Sequence, residues 1–431
     1  MKALIRRLLP APLLRAALPA YHFLLALTGA VVYRFPSRRL TVIGVTGTKG
    51  KTSTAEILNN ILEASGAKTS VLGTLRFKIG DESKRNLKKM TMPGRFFVQK
   101  FLHDAVRKGC SHAVIEMTSE GAKQFRQRFI DMDALIFTNL SPEHIESHGS
   151  YEAYRDAKLS IAATLARSSK PKRLMIANND DREAVLFLAT PHVTPVGYSQ
   201  TDVEIVRADD TGIELVWRGK KVSSPLPGIF NAYNIIAAAT CAKELGIPLD
   251  AIVLGIENTR QIEGRMERVD DGSSFPVIVD YAHTPDSLEA VYIAYKNHEN
   301  ICILGNTGGG RDKWKRPVMG SIAEAHCVKV ILTNEDPYDE DPRSILDEIA
   351  AGMKTMKPEI ILDRREAIAR ALTLAKETTH AAVLITGKGT DPYIMGPNGT
   401  KLVWDDREVA REEIARQNTK FSASSAVKHP E

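Results

Sequence analysis

From Leu40 onward, short runs of β-branched and aliphatic residues alternate with longer segments whose apolar positions follow a helical period. This alternation predicts parallel sheets covered on both faces by helices. Candidate strands are Thr41–Val45, Ala113–Met117, Ala134–Thr138 and Leu174–Ala177, with helices such as Phe96–Lys108 and Tyr151–Ala166 between them. The texture then changes. Val203–Val206, Ile213–Val216 and Lys221–Ser223 read as short antiparallel strands, followed by a helix at Tyr233–Leu245. A second βα series takes over at Val277–Asp280, Asn300–Leu304, Val328–Thr333, Glu359–Leu362 and Ala382–Thr386. The expected boundary between two α/β domains falls near Gln261–Gly264, and a Ser/Ala-rich tail over 419–431 is expected to be disordered.

The N-terminal 39 residues break this pattern. Ala16 to Tyr33 carries no Asp, Glu, Lys or Arg, and basic residues flank it: Lys2, Arg6, Arg7 and Arg15 before, Arg34, Arg38 and Arg39 after. The run is short for a membrane span and is interrupted by Pro19 and Gly29. Three readings follow: a helix packed on the domain, an interfacial helix held by anionic lipid, or a true span. No convincing cleavage site for a removable signal follows it.

Composition narrows the partners. With 431 residues the chain exceeds a single core, and its net charge of +6 suits anionic substrates. The charge lacks the clustering that would argue for nucleic acid. Four scattered cysteines (Cys110, Cys241, Cys302 and Cys327) contain no C-x-x-C pair, which argues against a metal or disulfide framework and for a reducing cytoplasm.

The chemistry is concentrated after the first strand. Gly47-Thr48-Lys49-Gly50-Lys51-Thr52-Ser53 is a glycine-rich turn opening a helix expected from about Thr52 to Ser65. Such a turn aims backbone N–H groups and a helix N-terminus at phosphate; Lys51 reaches the β/γ-phosphates and the Thr52 hydroxyl sits on Mg²⁺. Val45 stands where the standard pattern has its first glycine. Glu116 ends a strand where an acid can hold Mg²⁺ opposite Thr52. Further polar clusters are Asn139-Leu140-Ser141-Pro142-Glu143-His144, Ala157-Lys158, Asn231 to Asn234, Gly264-Arg265-Met266-Glu267 and Asp280-Tyr281-Ala282-His283. Taken singly, each reads equally well as a cap, a turn or a solvated face.

In this order and spacing the clusters resemble the Mur ligase family, specifically its tripeptide-synthetase branch. The likeness runs from about Leu40 to Glu412 through TGTKGKTS, IEMTSEG, FTNLSPEHIESHG, GIFNAYN, GRME, VDYAHTPDSLEAV, GNTGGGRDKWKRP and WDDREVA. It implies a P-loop central domain with a mostly parallel sheet over 40–262 and a Rossmann-like C-terminal α/β domain over 263–418. The implied activity is an ATP-dependent ligase that joins an amino acid to a muropeptide carboxylate through an acyl phosphate, releasing ADP and phosphate. The resemblance further implies a nucleotide site of Gly47, Thr48, Lys49, Gly50, Lys51, Thr52 and Ser53, with Asn234 and Asp280 toward adenine and ribose and Arg311 and Lys313 toward the phosphates. Two Mg²⁺ ions would be held by Thr52, Glu116, His144 and a carbamylated Lys158. Thr91, Pro93, Ser119, Arg265, His283, Asp336, Tyr338, Gly387 and Asp391 would meet the acceptor or the amino acid.

The chain also departs from the family. Only some forty residues precede the glycine-rich turn, so the domain that grips the UDP end of the substrate is expected to be missing and the acceptor's carrier is left open. Glu335-Asp336-Pro337-Tyr338 replaces D-N-P-R, losing an arginine for the amino acid's carboxylate, and Gly387-Lys388-Gly389-Thr390-Asp391 replaces G-K-G-H-E. A diamino acid remains the expected amine, with Asp391 receiving its distal ammonium. Met92 stands where the substrate loop has a polar residue, and Glu120 where a histidine is common. The competing readings are a folylpolyglutamate-type ligase and an inactive membrane-attached nucleotide-binding scaffold. The expected setting is the cytoplasm, with residues 1–39 able to meet the inner face of the membrane.

Overall fold

The computed structural model describes residues 11–143 and 145–426, with side chains from Ala17 to Thr419. The chain divides into two compact units. The first holds residues up to Glu204 with Leu215–Ser223 and Asn231–Thr259; the second holds Ile205–Glu214, Ser224–Phe230 and Arg260 onward.

The first unit is built on eight strands: β1 (Thr41–Thr46), β2 (Thr69–Leu72), β3 (Arg76–Ile79), β4 (Glu82–Arg85), β5 (His112–Glu116), β6 (Ala134–Phe137), β7 (Leu174–Asn178) and β8 (Thr194–Tyr198). Their order is β4-β3-β2-β5-β1-β6-β7-β8. The six strands from β2 to β8 are parallel, whereas β3 and β4 form an antiparallel hairpin at one edge. β1 lies at the centre and is buried along nearly its whole length, which is why its sequence is a continuous β-branched run rather than an alternating one. The hairpin escaped the sequence reading because Arg76–Ile79 and Glu82–Arg85 carry charges at an exposed edge.

A small sheet of β9 (Val203–Asp209), β10 (Gly212–Trp217) and β11 (Lys220–Ser224) follows, as the change of texture predicted. The second unit contains β12 (Glu267–Arg268), β13 (Val277–Val279), β14 (Glu299–Leu304), β15 (Lys329–Leu332), β16 (Glu359–Ile360) and β17 (Ala381–Ile385), ordered β12-β13-β17-β14-β15-β16. β18 (Tyr393–Met395) and β19 (Lys401–Val403) form a separate hairpin. Alternate residues of the central strands feed two cores. Ile278, Cys302, Leu304, Leu332 and Leu384 pack with Leu288, Met319 and Ile345 from helices on one face. Val277, Ile301, Ile303, Val383 and Ile385 pack with Ile368, Leu372 and Ile414 on the other. The period of two along each strand divides the apolar residues between two helix layers.

One finding corrects the sequence reading. Cys302 and Cys327 are joined by a disulfide, with Cα atoms 6.0 Å apart. Their separation of 25 residues hides the pairing, but Cys302 lies in β14 and Cys327 just before the neighbouring β15, separated from it by Val328. Cys110 and Cys241 are free and buried. The last helix is Asp406–Ala426, and 427–431 lie outside the described residues.

The WDDREVA motif has a structural job. Arg364 and Asp406 form a two-pronged ion pair with both bonds at 2.7 Å, and both side chains are fully buried. Trp404 Nε1 donates to Asp406, and Arg364 also donates to the Thr386 carbonyl, so every strong polar group of this pair is engaged. Asp406→Ala is expected to cost about 3–5 kcal/mol by stranding a buried guanidinium, measured as a lowered midpoint in urea unfolding.

Candidate active site

The loop from Gly47 to Gly50 leaves the C-terminal end of β1 between β5 and β6, with Val45 opposite Glu116 and Thr46 opposite Phe137. This is where open parallel sheets bind ligands. Val45 replaces the pattern's first glycine because it is still a strand residue there, fully buried. Gly47 has φ 143°, and a Cβ on it would lie 1.9 Å from Thr138 Oγ1. Gly50 has φ 79°, and its Cβ would lie 2.3 Å from Asn234 Oδ1. Side chains are excluded at both places, which brings the backbone close to its surroundings.

Gly50 starts the helix Lys51–Ala64 with no side chain capping it, so the first-turn N–H groups form an open anion site. The loop is braced from behind. Thr48 N donates to the Asn139 carbonyl at 2.8 Å, Lys49 N donates to Asn139 Oδ1 at 2.9 Å, and Thr138 Oγ1 donates to the Lys49 carbonyl at 2.6 Å. Lys51 Nζ folds over the loop onto the carbonyls of Gly47 (3.0 Å) and Thr48 (2.7 Å). Thr48 Oγ1 shares a bond with Tyr154 Oη at 2.9 Å. Ser53 is buried in the first turn.

Beside the cradle a line of hydroxyls converges on one carboxylate. Thr52 Oγ1 donates to Glu116 Oε2 at 3.0 Å; Thr74 donates to the same oxygen from its hydroxyl (2.9 Å) and to Oε1 from its N–H (2.7 Å). Thr74 Oγ1 then meets Thr91 Oγ1 at 2.9 Å. Glu116 is 1% exposed. The Thr52 hydroxyl and the Glu116 carboxylate are hard oxygen donors already in contact, and they fit Mg²⁺.

Lys158 is also enclosed, with 2% exposure, and donates to the Gly47 carbonyl at 2.6 Å above the Tyr154 ring. Burial, reinforced by the charge on Lys51, pushes its pKa well below the ordinary 10.5 and favours the neutral amine. Its amine is committed as a donor to the Gly47 carbonyl, and nitrogen is a poor ligand for a hard cation such as Mg²⁺, so it serves such an ion only if it gains oxygens. His144 lies outside the described residues. Among the described residues no cluster of three or more His, Cys, Asp or Glu is arranged to hold a metal.

Ser119 Oγ meets His148 Nε2 at 3.1 Å, and His148 also approaches Glu120 at 3.2 Å. Glu120 therefore occupies its histidine-favoured place as a partner to a nearby histidine. Pro93 is buried. Met92 is apolar because it is core: it is 1% exposed, and a Cβ on Gly121 would lie 2.8 Å from its sulfur. Asn234, expected near adenine, sits against Gly50, accepting from Thr54 Oγ1 (3.3 Å) and donating to Asn231 Oδ1 (2.9 Å).

In the second unit, antiparallel pairing of β12 with β13 brings the GRME and DYAHT motifs together. Asp280 accepts from the N–H groups of Met266 (2.7 Å) and Ala282 (2.6 Å). Its burial raises its carboxyl pKa, against the opposing pull of Arg265 and those two bonds. Arg265 lies over the Tyr281 ring, and His283 Nδ1 contacts the Tyr281 carbonyl at 2.7 Å. In the glycine-rich loop, Arg311 lies over the Tyr338 ring, whereas Lys313 pairs with Glu340 at 2.7 Å. Arg316, which the sequence reading passed over, is fully buried and grips Glu340 and Glu348. With Lys313 it draws the Glu340 carboxyl down to about 2.

The expected amino-acid cluster also assembles. Lys388 Nζ lies 2.8 Å from Asp336 and 3.0 Å from Asp391, so Asp391 already serves an ammonium of the protein itself. Gly387 (φ 106°) is fixed by its neighbour, because a Cβ there would lie 2.5 Å from Glu335 Oε2. Glu335 is a second residue that sequence reasoning missed. Its Oε1 accepts from Thr307 Oγ1 at 2.7 Å, while Oε2 is buried with no hydrogen-bond donor among the described residues. Only its place at the head of Glu335-Asp336-Pro337-Tyr338 could have flagged it.

Known proteins share this sequence and architecture. Residues 45–242 match the Mur ligase middle domain, and residues 264–389 match the Mur ligase, glutamate ligase domain. The chain is 36% identical over 405 residues to UDP-N-acetylmuramoyl-L-alanyl-D-glutamate–2,6-diaminopimelate ligase of Bacillus cereus, spanning 90% of this chain and 81% of that one. It is 36% identical over 434 residues to UDP-N-acetylmuramyl-tripeptide synthetase of Roseiflexus sp., spanning 94% and 84%. A solved structure of a UDP-N-acetylmuramoyl-L-alanyl-D-glutamate–2,6-diaminopimelate ligase aligns with TM-score 0.60 and 31% identity over 88% of this chain and 79% of that one. Folylpolyglutamate synthase of Mycobacterium tuberculosis complexed with ADP shares the fold, with TM-score 0.69 at 18% identity over 91% and 93%. The chain belongs to the Mur ligase family.

Proposed function

We propose that this protein is an ATP-dependent, ADP-forming ligase that adds an amino acid to a muropeptide carboxylate in peptidoglycan precursor synthesis. The observation that carries the reading is the hydrogen-bonded line Thr52–Glu116–Thr74–Thr91, which ties the nucleotide loop to the expected acceptor loop at the C-terminal ends of the central strands. On this reading the acceptor's carboxylate oxygen attacks the γ-phosphorus, the bond to the bridging oxygen breaks and ADP leaves. The amino acid's amine then attacks the acyl carbon, loses a proton and expels phosphate. The chain's contribution is positioning and charge neutralisation. Lys51 and the first-turn N–H groups of Lys51, Thr52 and Ser53 hold the phosphates, with the loop Gly47–Gly50 shaping the cradle and Asn234 alongside.

Thr52 and Glu116 would hold Mg²⁺, which supplies charge neutralisation to the transferring phosphoryl group. Lys158 is the expected site of carbamylation, supported by its enclosure and its displacement toward the neutral amine, the form that adds carbon dioxide. The added oxygens would turn a donor into an anionic acceptor for a second ion, together with His144. In the second unit Arg265, Asp280, His283, Arg311, Lys313, Asp336 and Tyr338 remain the candidates for nucleotide and amino-acid contacts. Glu335 joins them as the acid able to receive an ammonium. The enzyme would work in the cytoplasm, with residues 1–39 meeting the inner face of the membrane.

The deciding experiment measures ADP release with UDP-linked muramoyl dipeptide and a panel of amino acids. Turnover that requires both substrates, with a tripeptide product identified by mass spectrometry, is the expected result. Turnover only with a folate acceptor, or none with any acceptor, would replace the reading. Lys158→Arg should lower kcat on the order of 100-fold or more and lack the labelled carbonyl signal expected of the wild-type chain with ¹³C-bicarbonate. Glu335→Gln should raise KM for the amino acid by about tenfold, as loss of a charged hydrogen bond does, with kcat nearly kept.

A further inference from the structure

The helix Ala11–Val32 packs on the first unit through its smaller residues. Gly29 rests against Phe96 and Gln99 of the helix Arg95–Arg107, with Ala26 and Ala30 buried beside it. Arg95 Nη2 donates to His22 Nδ1, and the Tyr33 and Phe23 rings meet His103 and Phe129. The opposite stripe is the unusual one. Ala17, Ala20, Tyr21, Leu24, Thr28 and Val31 recur at helical spacing, all exposed, and Leu18 and Val32 flank them. Leu24 is 60% exposed and Val31 54%. A surface helix ordinarily turns a charged face to water. This stripe carries no charge, so the helix is apolar both toward the protein and away from it.

What covers the stripe is indicated by the surrounding charge. Residues 1–40 contain seven Lys or Arg and no Asp or Glu, a balance that fits an anionic surface and opposes a cationic one. Arg34 is exposed just past the helix's C-terminal end, and Arg39 is exposed in the short turn Pro36–Arg39 that follows. The adjoining stripe of the helix Arg95–Arg107 adds to this. Phe97, Lys100 and Arg107, with Lys84 and Lys108, line a cavity of about 530 Å³ whose acids, Glu82 and Asp104, are outnumbered. No helix among the described residues is long and apolar enough to cross a membrane. A helix held along one side by Gly29, Ala30 and His22 can only lie in the plane of an interface.

We infer that the outward stripe Ala17–Val31 docks on the surface of an anionic lipid bilayer. It also holds the segment 91–94 at that surface, because Arg95, which grips His22, donates to the Gln124 carbonyl at 2.6 Å and starts the helix directly after Gly94. Only the naming of 91–94 as the acceptor loop rests on the ligase reading. Docking itself stands independently of it.

The test sediments the full chain with vesicles of equal parts phosphatidylglycerol and phosphatidylcholine, and with phosphatidylcholine alone. The protein should pellet with the anionic vesicles, and the doubly substituted Leu24→Glu, Val31→Glu protein should lose at least about tenfold in partitioning. Arg39→Glu, an exposed single change, should weaken binding to a smaller degree, as should raised salt. ADP release with a soluble acceptor should be unchanged in all of these variants, which separates a failure of docking from a failure of the ligase reading. A wild-type chain that stays in the supernatant, or variants that pellet as well as wild type, would overturn the inference. So would a wild-type dimer by light scattering that Leu24→Glu, Val31→Glu converts to a monomer, since a second copy would then cover the stripe.

Discussion

The site in the first unit hangs on one buried carboxylate. Glu116 ends a central strand with 1% exposure, and its charge is tolerable there only because Thr52 and Thr74 surround it with three donated hydrogen bonds. Those bonds fix the first turn of the helix after the glycine-rich loop and the start of the β3–β4 hairpin in one stroke. Gly73 is part of the same arrangement, since a Cβ there would lie 2.4 Å from Glu116 Oε1. The strand, the helix and the hairpin are therefore positioned by an acid that also has the right oxygens for a divalent cation.

The second unit solves the same problem of buried charge differently. Arg364 with Asp406, and Lys388 with Asp336 and Asp391, are closed ion pairs inside the protein rather than acids awaiting a partner. Burial of a pair is tolerated when the geometry is good and every remaining polar atom is engaged, as it is around Asp406. Glu335 has one oxygen engaged and the other buried with no hydrogen-bond donor among the described residues. Such a group is costly in an isolated protein and informative about what it is meant to receive.

Much of this was legible in the chain because the parallel strands are continuous apolar runs. Tyr151–Ala166 is a helix with the bounds its pattern predicted, and the strands after Thr41, Ala113, Ala134, Leu174 and Ala382 all form. The glycine-rich turn was legible for the same reason, since its glycines are demanded by local close approach. What could not be read depends on contacts distant in sequence. Cys302 meets Cys327 only because β14 and β15 are neighbours, and Met92 is apolar only because Gly121 brings a helix against it. Glu335 looked like one acid among several until Thr307 and Gly387 were placed beside it.

Asn234 completes the nucleotide loop from very far along the chain. Its amide lies against Gly50 and bonds Thr54, 180 residues earlier, from a helix that begins at Phe230. All eight strands of the first sheet precede it, so a nascent chain can assemble the sheet and the glycine-rich turn while the loop still lacks its far wall. At ribosomal speeds the 180 residues from Thr54 to Asn234 take roughly 10–40 s to be made. The order of synthesis thus separates the making of the scaffold from the finishing of its phosphate cradle.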